Sequence, residues 1–402
     1  MQRIPVVVAS LLILLSPCCH SDPKPQEMRL PEAIEFMRPS DHVSMGNKAD
    51  SVSARHVDPN YQGEGDLHLE KPLYLAVDQS NNLYISVVEQ GVVFKVDKSG
   101  ATTVVAGTGK RGRPRVGVPA TQTDLLSPMK LLFDDEGNLY IADGSAFRVF
   151  KVDMKGILTA VAGTGVEGPG GDGGPAVSAT LASPYGIAIG PDKSLFILDG
   201  TNNWIRKVSP DGIISTIAGT GKRGRGGDGG PASAASLYSP TDIAIDRAGD
   251  LFIADRMNSR IRKIDHRGII TTVAGNGTMA GYDDVPVRAT LVSCQADSIA
   301  FDDDGNLFMT DGRIRRLDKT GIITTVAGRY VGKADLLALD SKFAPNATLV
   351  SPFAVVVDHE GNLYFADWAV RYSKSRVRKV SAGIVTEVFT SGPSPAAEDS
   401  IR

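Results

Sequence analysis

Asp242-Ile-Ala-Ile245-Asp246-Arg-Ala-Gly249-Asp-Leu251-Phe-Ile-Ala254-Asp255-Arg-Met-Asn258-Ser-Arg260-Ile-Arg-Lys-Ile264-Asp265-His-Arg-Gly268-Ile-Ile270-Thr-Thr-Val-Ala274-Gly275 decides the fold. It holds four short runs rich in β-branched and aromatic residues: Asp242–Ile245, Leu251–Ala254, Ile261–Ile264 and Ile270–Ala274. Each has the length of a strand and is too short for a helix. Two of the turns between them, Asp246-Arg-Ala-Gly249 and Asp265-His-Arg-Gly268, join an Asp that can cap backbone amides to a Gly that can take positive φ. Tight hairpins need that pair of properties. The stretch therefore predicts one four-stranded antiparallel sheet.

The same unit recurs on either side. The position closing the first run is Asp78, Asp134, Gly190, Asp246, Asp302 and Asp358, at a constant spacing of 56 residues. The position closing the second run is Asp143, Asp199, Asp255, Asp311 and Asp367, with Val87 at that place in the first copy. A period this long marks a stacked or circular repeat. Six units of four strands, with no helical stretch between them, predict an all-β, six-bladed β-propeller over residues 69–390; a β-solenoid is the weaker alternative. The first and last units both carry all four strands. The ring is therefore expected to close by packing the first blade on the sixth, unless the preceding segment donates a strand, and this seam is the expected weak point.

Asp255–Ile264 resembles the core of the NHL repeat, and Gly268–Gly275 is similar to its closing strand. Gly171-Asp-Gly-Gly-Pro-Ala176 and Gly227-Asp-Gly-Gly-Pro-Ala232 resemble the bacterial and teneurin-type branch. The resemblance covers about four-fifths of the chain, residues 69–390. It implies a propeller used chiefly as a binding platform, in a family that includes a few enzymes. The first copy departs most, with Val87 and Val92 in place of Asp and Arg.

The chain has 402 residues, with 43 Lys and Arg against 46 Asp and Glu, a net charge of −3. That balance offers no basic face, so no nucleic-acid partner is expected. A hydrophobic share of 42% is enough to build a core and excludes a solvated, disordered chain. Residues 1–19 read as an export signal: Arg3 leads an apolar run, Ile4–Leu15, broken by Pro5 and Ser10. The run is shorter than the roughly 20 residues a membrane span requires. Leu15-Ser16-Pro17 before Cys18 resembles a bacterial lipoprotein signal, with Pro17 where that motif has Gly, Ala or Ser. It makes Cys18 or Cys19 the candidate lipidation site, and a lipid anchor the expected membrane link. Residues 20–68 read as a polar tether or cap and 391–402 as a polar tail. Cys294 is the one thiol beyond the leader, so no internal disulfide is expected. It reads as a small apolar residue in a slot where sister segments carry Pro.

Several motifs have a chemical and a plain reading. Gly107-Thr-Gly109-Lys-Arg-Gly112 matches a dinucleotide fingerprint, as do 163–168 and 219–224. Such a site needs the motif to open a helix, whereas here it recurs at strand exits, so loop geometry is the reading. Asp172 and Asp228 in the Gly-Asp-Gly-Gly stretches give one carboxylate per loop, too few for a cation, and read as turn residues. Asp302-Asp-Asp-Gly-Asn306 opens like a calcium loop but lacks the later ligands and reads, with Asp134-Asp135, as a hairpin turn. Arg148, Arg260, Arg313 and Arg376 share one position before the third strand, with Trp204 and Val92 completing the six. Paired with Asp143, Asp199, Asp255, Asp311 and Asp367, they suggest a structural Asp–Arg ladder, and Trp204 becomes a candidate contact residue. Within the repeats the histidines are His266 and His359, both in short turns, so no zinc site and no His general base is expected.

Two connections are long: from the fourth strand to the next blade, and from the second strand to the third. The inter-blade loops alternate in sign. Residues 108–127 carry four basic and one acidic group, and 164–183 carry two acidic ones. Residues 220–239 carry three basic and one acidic group, and the alternation argues against one polyanion site. The fifth and sixth units depart from the strict repeat and bring in Tyr330, Phe343, Trp368, Arg371 and Tyr372. Departures of this kind are where function tends to be grafted. The reading is a non-enzymatic, extracytoplasmic binding platform for a protein or a cell-envelope glycan. It needs no cofactor, and its contacts are Trp368, Tyr372, Tyr330, Arg371 and Trp204. The alternative is a lyase or gluconolactonase-like propeller with a divalent cation in the central channel, for which Asp242 is the one well-placed carboxylate.

Overall fold

The computed structural model describes residues 72–278, 286–328, 342–349, 351–369 and 374–390. The export signal, the tether with Cys18 and Cys19, and the polar tail lie outside them. The described residues form six antiparallel sheets in chain order, with no α-helix. Blade 4 comprises Asp242–Ile245, Leu251–Asp255, Arg260–Ile264 and Ile270–Ala274, one residue longer than expected in the second and third strands. Blade 1 runs from Pro72–Val77 to Thr102–Ala106, and blade 6 from Pro352–Val357 to Ile384–Thr390. No described helix is long and apolar enough to cross a membrane.

The turns behave as their residues require. Asp246 Oδ1 accepts the amides of Ala248 (2.9 Å) and Asp250 (3.0 Å), and Gly249 takes φ +86°. Asp134, Asp302 and Asp358 repeat the device, so the calcium-like Asp302 stretch is a hairpin turn.

The core is divided among the blade interfaces. Six buried clusters each combine two neighbouring blades, and the last joins blade 1 to blade 6 through Leu75, Ile85, Val87, Phe94, Ala354, Tyr364, Ala366 and Val377. Packing of the first blade on the sixth therefore closes the ring. This also explains why blade 1 departs from the repeat: Val87 and Val92 are fully buried in the seam cluster, where an Asp and an Arg would have to be desolvated.

The inter-blade segments do more than connect. Val118–Pro119 and Val287–Arg288 add a short fifth strand to the outer edge of blades 2 and 5. Single bridges, Pro175 with Ile213, Pro231 with Ile269 and Phe343 with Ile384, do the same for blades 3, 4 and 6. Much of each inter-blade loop is thus laid along the rim of the next blade rather than presented freely. Phe343, expected beside Trp368 and Tyr372, is one of these rim residues and is 65% exposed. Cys294 does not fill the Pro slot. The carbonyl before it, Ser293, accepts from Arg315 as Ser236 does from Arg262 (2.7 and 2.9 Å), so Cys294 stands where Leu237 stands and is buried like it.

Candidate functional site

The second-strand aspartates hold the loop ends. Asp143 accepts the amides of Leu126 (2.9 Å), Ser127 (2.7 Å) and Ala146 (3.1 Å). Asp199 accepts from Ala182 (2.7 Å), Asp255 from Tyr238 (2.8 Å) and Asp367 from Ser351 (3.1 Å). Each ties the segment entering the first strand to the end of the second. Burial pushes the Asp255 carboxyl up to about 6 and Asp311 up to about 7, the latter against the pull of Arg315.

The arginines that complete this arrangement are not all the expected ones. The third strand carries a bulge in every blade, at Phe94, Phe150, Arg206, Arg262, Arg315 and Arg378, two residues past the predicted position. A bulge re-aims its side chain, and here it turns four guanidinium groups inward. Arg315 pairs with Asp311, and Arg378 with Asp367. Arg206 lies 3.4 Å from Asp199, and Arg262 lies 3.7 Å from Asp255. Of the predicted set, Arg376 reaches Asp367 (2.9 Å), Arg148 donates to the carbonyl of Gly163 (3.3 Å), Arg260 leans to Asp228 (3.6 Å), and Arg313 is buried.

Asp172 and Asp228 are more than turn residues. Asp172 accepts from Arg206 (2.7 Å) and from the amide of Thr216 (3.0 Å), and Asp228 accepts from Arg262 (2.7 Å) and from Thr272. Each clasps an incoming loop to the third and fourth strands of the next blade. The shared 34-residue separation, Asp172 to Arg206 and Asp228 to Arg262, was the available sequence signal.

Trp204 is half-buried rather than exposed. Its indole covers Gly221, where a Cβ would come within 3.1 Å of Nε1, and the Arg206 guanidinium lies 5.8 Å from the ring. Arg148 and Arg260 cover Gly165 and Gly277 in the same way. Trp368 lies on the second strand of blade 6, opposite Ser375. Tyr330, Arg371 and Tyr372 lie outside the described residues.

The first strands surround the axis and carry a polar belt at one repeat position: Tyr74, Lys130, Gly186, Asp242, Ser298 and Ala354. Lys130 was not singled out from sequence, although the 56-residue spacing aligns it with Asp242. Its ammonium meets Asp242 Oδ2 at 2.7 Å, and the same oxygen accepts from Ser298 Oγ (2.9 Å) and the amide of Ile299 (3.0 Å). Asp242 is fully buried. Gly186 leaves the space between them, since a Cβ there would stand 3.2–3.3 Å from the Ile243 amide and Asp242 Oδ1. Beside the belt, Asp297 pairs with Arg256, while burial and the Asp242 charge push the Tyr74 hydroxyl far above its ordinary range. A divalent cation does not fit this donor set. The carboxylate it would need already carries a lysine and two further donors, and among the described residues no three His, Cys, Asp or Glu side chains converge on a metal position.

Residues 165–223 and 220–291 match the family model described as the Teneurin NHL domain. Human Teneurin-4 is 31% identical over 271 residues, covering 58% of this chain and 10% of that protein. Human Teneurin-1 is 26% identical over 358 residues, covering 81% and 12%. The chain thus spans about a tenth of the length of these relatives. Among solved structures, an auxiliary nutrient binding protein from Bacteroides ovatus superposes with a TM-score of 0.54 at 12% identity, over 80% of this chain and 70% of that one. A protein of unknown function from Bacteroides thetaiotaomicron gives 0.54 at 16% identity, over 76% and 70%. At these identities the likeness establishes the propeller fold.

Proposed function

We propose that this protein, a member of the NHL-repeat β-propeller family, is a binding platform working outside the cytoplasm. It recognises a protein or an envelope glycan through the face where the second-to-third connections and the blade exits emerge. The observation that carries this reading is how the scaffold uses its buried charge. Asp143, Asp199, Asp255 and Asp367, with Arg206, Arg262, Arg315 and Arg378, are engaged in holding loop ends and incoming segments against the blades. Loops fixed on a rigid frame suit recognition. The export-signal reading of residues 1–19 supports a site beyond the cytoplasmic membrane, by secretion or through a lipid on Cys18 or Cys19.

The contact residues are Trp368, Tyr372, Tyr330 and Arg371 on the irregular fifth and sixth blades, because aromatic and Arg side chains supply most of the binding energy at interfaces. Trp204 drops to a supporting place, since its ring is taken up by Gly221. The reading of a cation-dependent channel enzyme is weaker, because Lys130 neutralises Asp242. The test is capture of the native partner from an envelope extract. Trp368→Ala and Tyr372→Ala should each leave the thermal midpoint nearly unaltered and weaken capture at least tenfold. A lowered midpoint with undiminished capture would make these aromatics structural and move the site elsewhere.

A further inference from the structure

In five blades the segment arriving from the previous blade is stitched to the outer edge of the fourth strand in one way. In blade 4 the amide of Ile270 donates to Gly230 O (3.0 Å), and the amide of Ala232 donates to Gly268 O (2.8 Å). Blade 3 repeats this with Ile214 to Gly174 (3.0 Å) and Ala176 to Gly212 (2.8 Å). Blade 6 uses Val385 to Lys342 (2.8 Å) and Ala344 to Gly383 (2.9 Å). The residue after the stitch is always an alanine in a closed slot: Ala120, Ala176, Ala232, Ala289 and Ala344 are each at most 2% exposed. Five positions later comes a buried apolar residue: Leu125, Leu181, Leu237, Cys294 or Leu349.

Blade 1 is built to receive the same stitch. Its fourth strand, Thr102–Ala106, pairs with the third as in the other blades, Thr102 standing opposite Val96 as Ile214 stands opposite Val208. The outward amide of Thr102 and the carbonyl of Gly100 correspond to those of Ile214 and Gly212. Among the described residues no segment lies along this edge, and its sheet ends at the fourth strand.

We propose that residues 394–401, Ser394-Pro395-Ala396-Ala397-Glu398-Asp399-Ser400-Ile401, are the sixth stitch. They reproduce Gly230-Pro231-Ala232-Ser233-Ala234-Ala235-Ser236-Leu237. Pro395 takes the place of Pro231, Ala396 enters the alanine slot, and Ile401, five positions on, enters the leucine slot. The segment leaving blade 6 then does for blade 1 what every other exit does for the next blade, and the seam becomes equivalent to the other five interfaces. The exit is shorter than its counterparts, but the geometry allows it. Gly219, the counterpart of Thr390, donates its amide to Ala232 O (3.1 Å), so the two ends of that loop already meet. The four steps from Thr390 to Ser394 reach at most about 13 Å.

The other candidate occupant is the segment before Pro72. At the repeat spacing it places Gln62-Gly63-Glu64 on the edge, which puts Glu64 where five alanines are sealed from water. Burying an unpaired carboxylate there is unfavourable. An edge left open would also invite pairing with a second molecule.

Amide exchange at Thr102 tests the assignment in the full chain. Ala396→Glu, which puts a carboxylate in the slot, should speed exchange at Thr102 at least tenfold and leave Ile214 and Ile270 unchanged. A second measurement does not depend on that variant. Pro231 and Ile269 form a bridge flanked by the two stitch bonds, a position with Cα atoms about 4.5 Å apart and within disulfide range. Ala101→Cys with Pro395→Cys should therefore form an intramolecular disulfide, identified by peptide mapping. Equal exchange at Thr102 in both chains would overturn the proposal. So would a link formed with Gly63→Cys in place of Pro395→Cys, or a link between two molecules.

Discussion

Lys130 of blade 2 and Asp242 of blade 4 meet over blade 3, ammonium to carboxylate at 2.7 Å, in the space that Gly186 leaves open. Asp242 is fully buried and Lys130 nearly so. Removing one partner of such a pair leaves an uncompensated charge and costs about 3 kcal/mol or more, whereas replacing both with apolar groups is far milder. Lys130→Met should therefore lower stability strongly. Lys130→Met with Asp242→Leu should recover most of that loss in chemical denaturation. Additive losses in the double variant would show that the two groups do not depend on each other.

Asp172 offers a local test of the clasp. The Thr216 amide donates to it at 3.0 Å, and the fully buried Arg206 lies 2.7 Å away. Asp172→Ala should destabilise by about 1.5 kcal/mol, the value of a hydrogen bond to a charged group. It should also speed amide exchange at Thr216 while leaving Thr272, the counterpart held by Asp228, unchanged. Uniform acceleration across both blades would mean that the clasp acts globally.

Trp204 shares its slot with Arg148 and Arg260, each covering a glycine of the next strand exit. Trp204→Arg should accordingly keep the thermal midpoint within a few degrees, whereas Trp204→Ala should lower it. Partner capture should be retained in Trp204→Arg. Loss of capture with stability intact would restore Trp204 to the binding site.

Asp311 sets a pH dependence. Burial raises its carboxyl to about 7, above the unfolded value of 3.8. A group raised in this way binds its proton more tightly when folded, so its stabilisation is complete below the unfolded value and is lost as pH rises through about 7. The thermal midpoint should fall between pH 6 and pH 8, and Asp311→Asn should flatten that decline. An unchanged slope in the variant would assign the dependence to other groups.

The blade pattern was legible because each strand and turn is a local decision. Alternating β-branched runs, an Asp at each turn entrance and a Gly at its exit specify the hairpins without reference to the rest of the chain. The arginine partners were not legible in the same way. A bulge in the third strand shifts the inward-facing position from Arg260 to Arg262, and nothing in Arg260-Ile-Arg262 says which guanidinium turns in. The rim stitches were missed because their bonds come from backbone atoms, which leave little trace beyond the recurring Pro-Ala. Lys130 was overlooked because its partner lies two repeats away, although both occupy the same place in the 56-residue period. Val87 and Val92 looked like decay of the motif and are instead the seam's own core.

The most direct test of the central claim is a hydrogen-exchange footprint of the captured partner on the full-length protein. The account predicts slowed exchange in residues 329–349 and 368–375, on the irregular fifth and sixth blades, with the channel strands around Lys130, Asp242 and Ser298 unaffected. Slowed exchange confined to those channel strands, with the two loop segments unchanged, would contradict it and place recognition on the axis of the propeller.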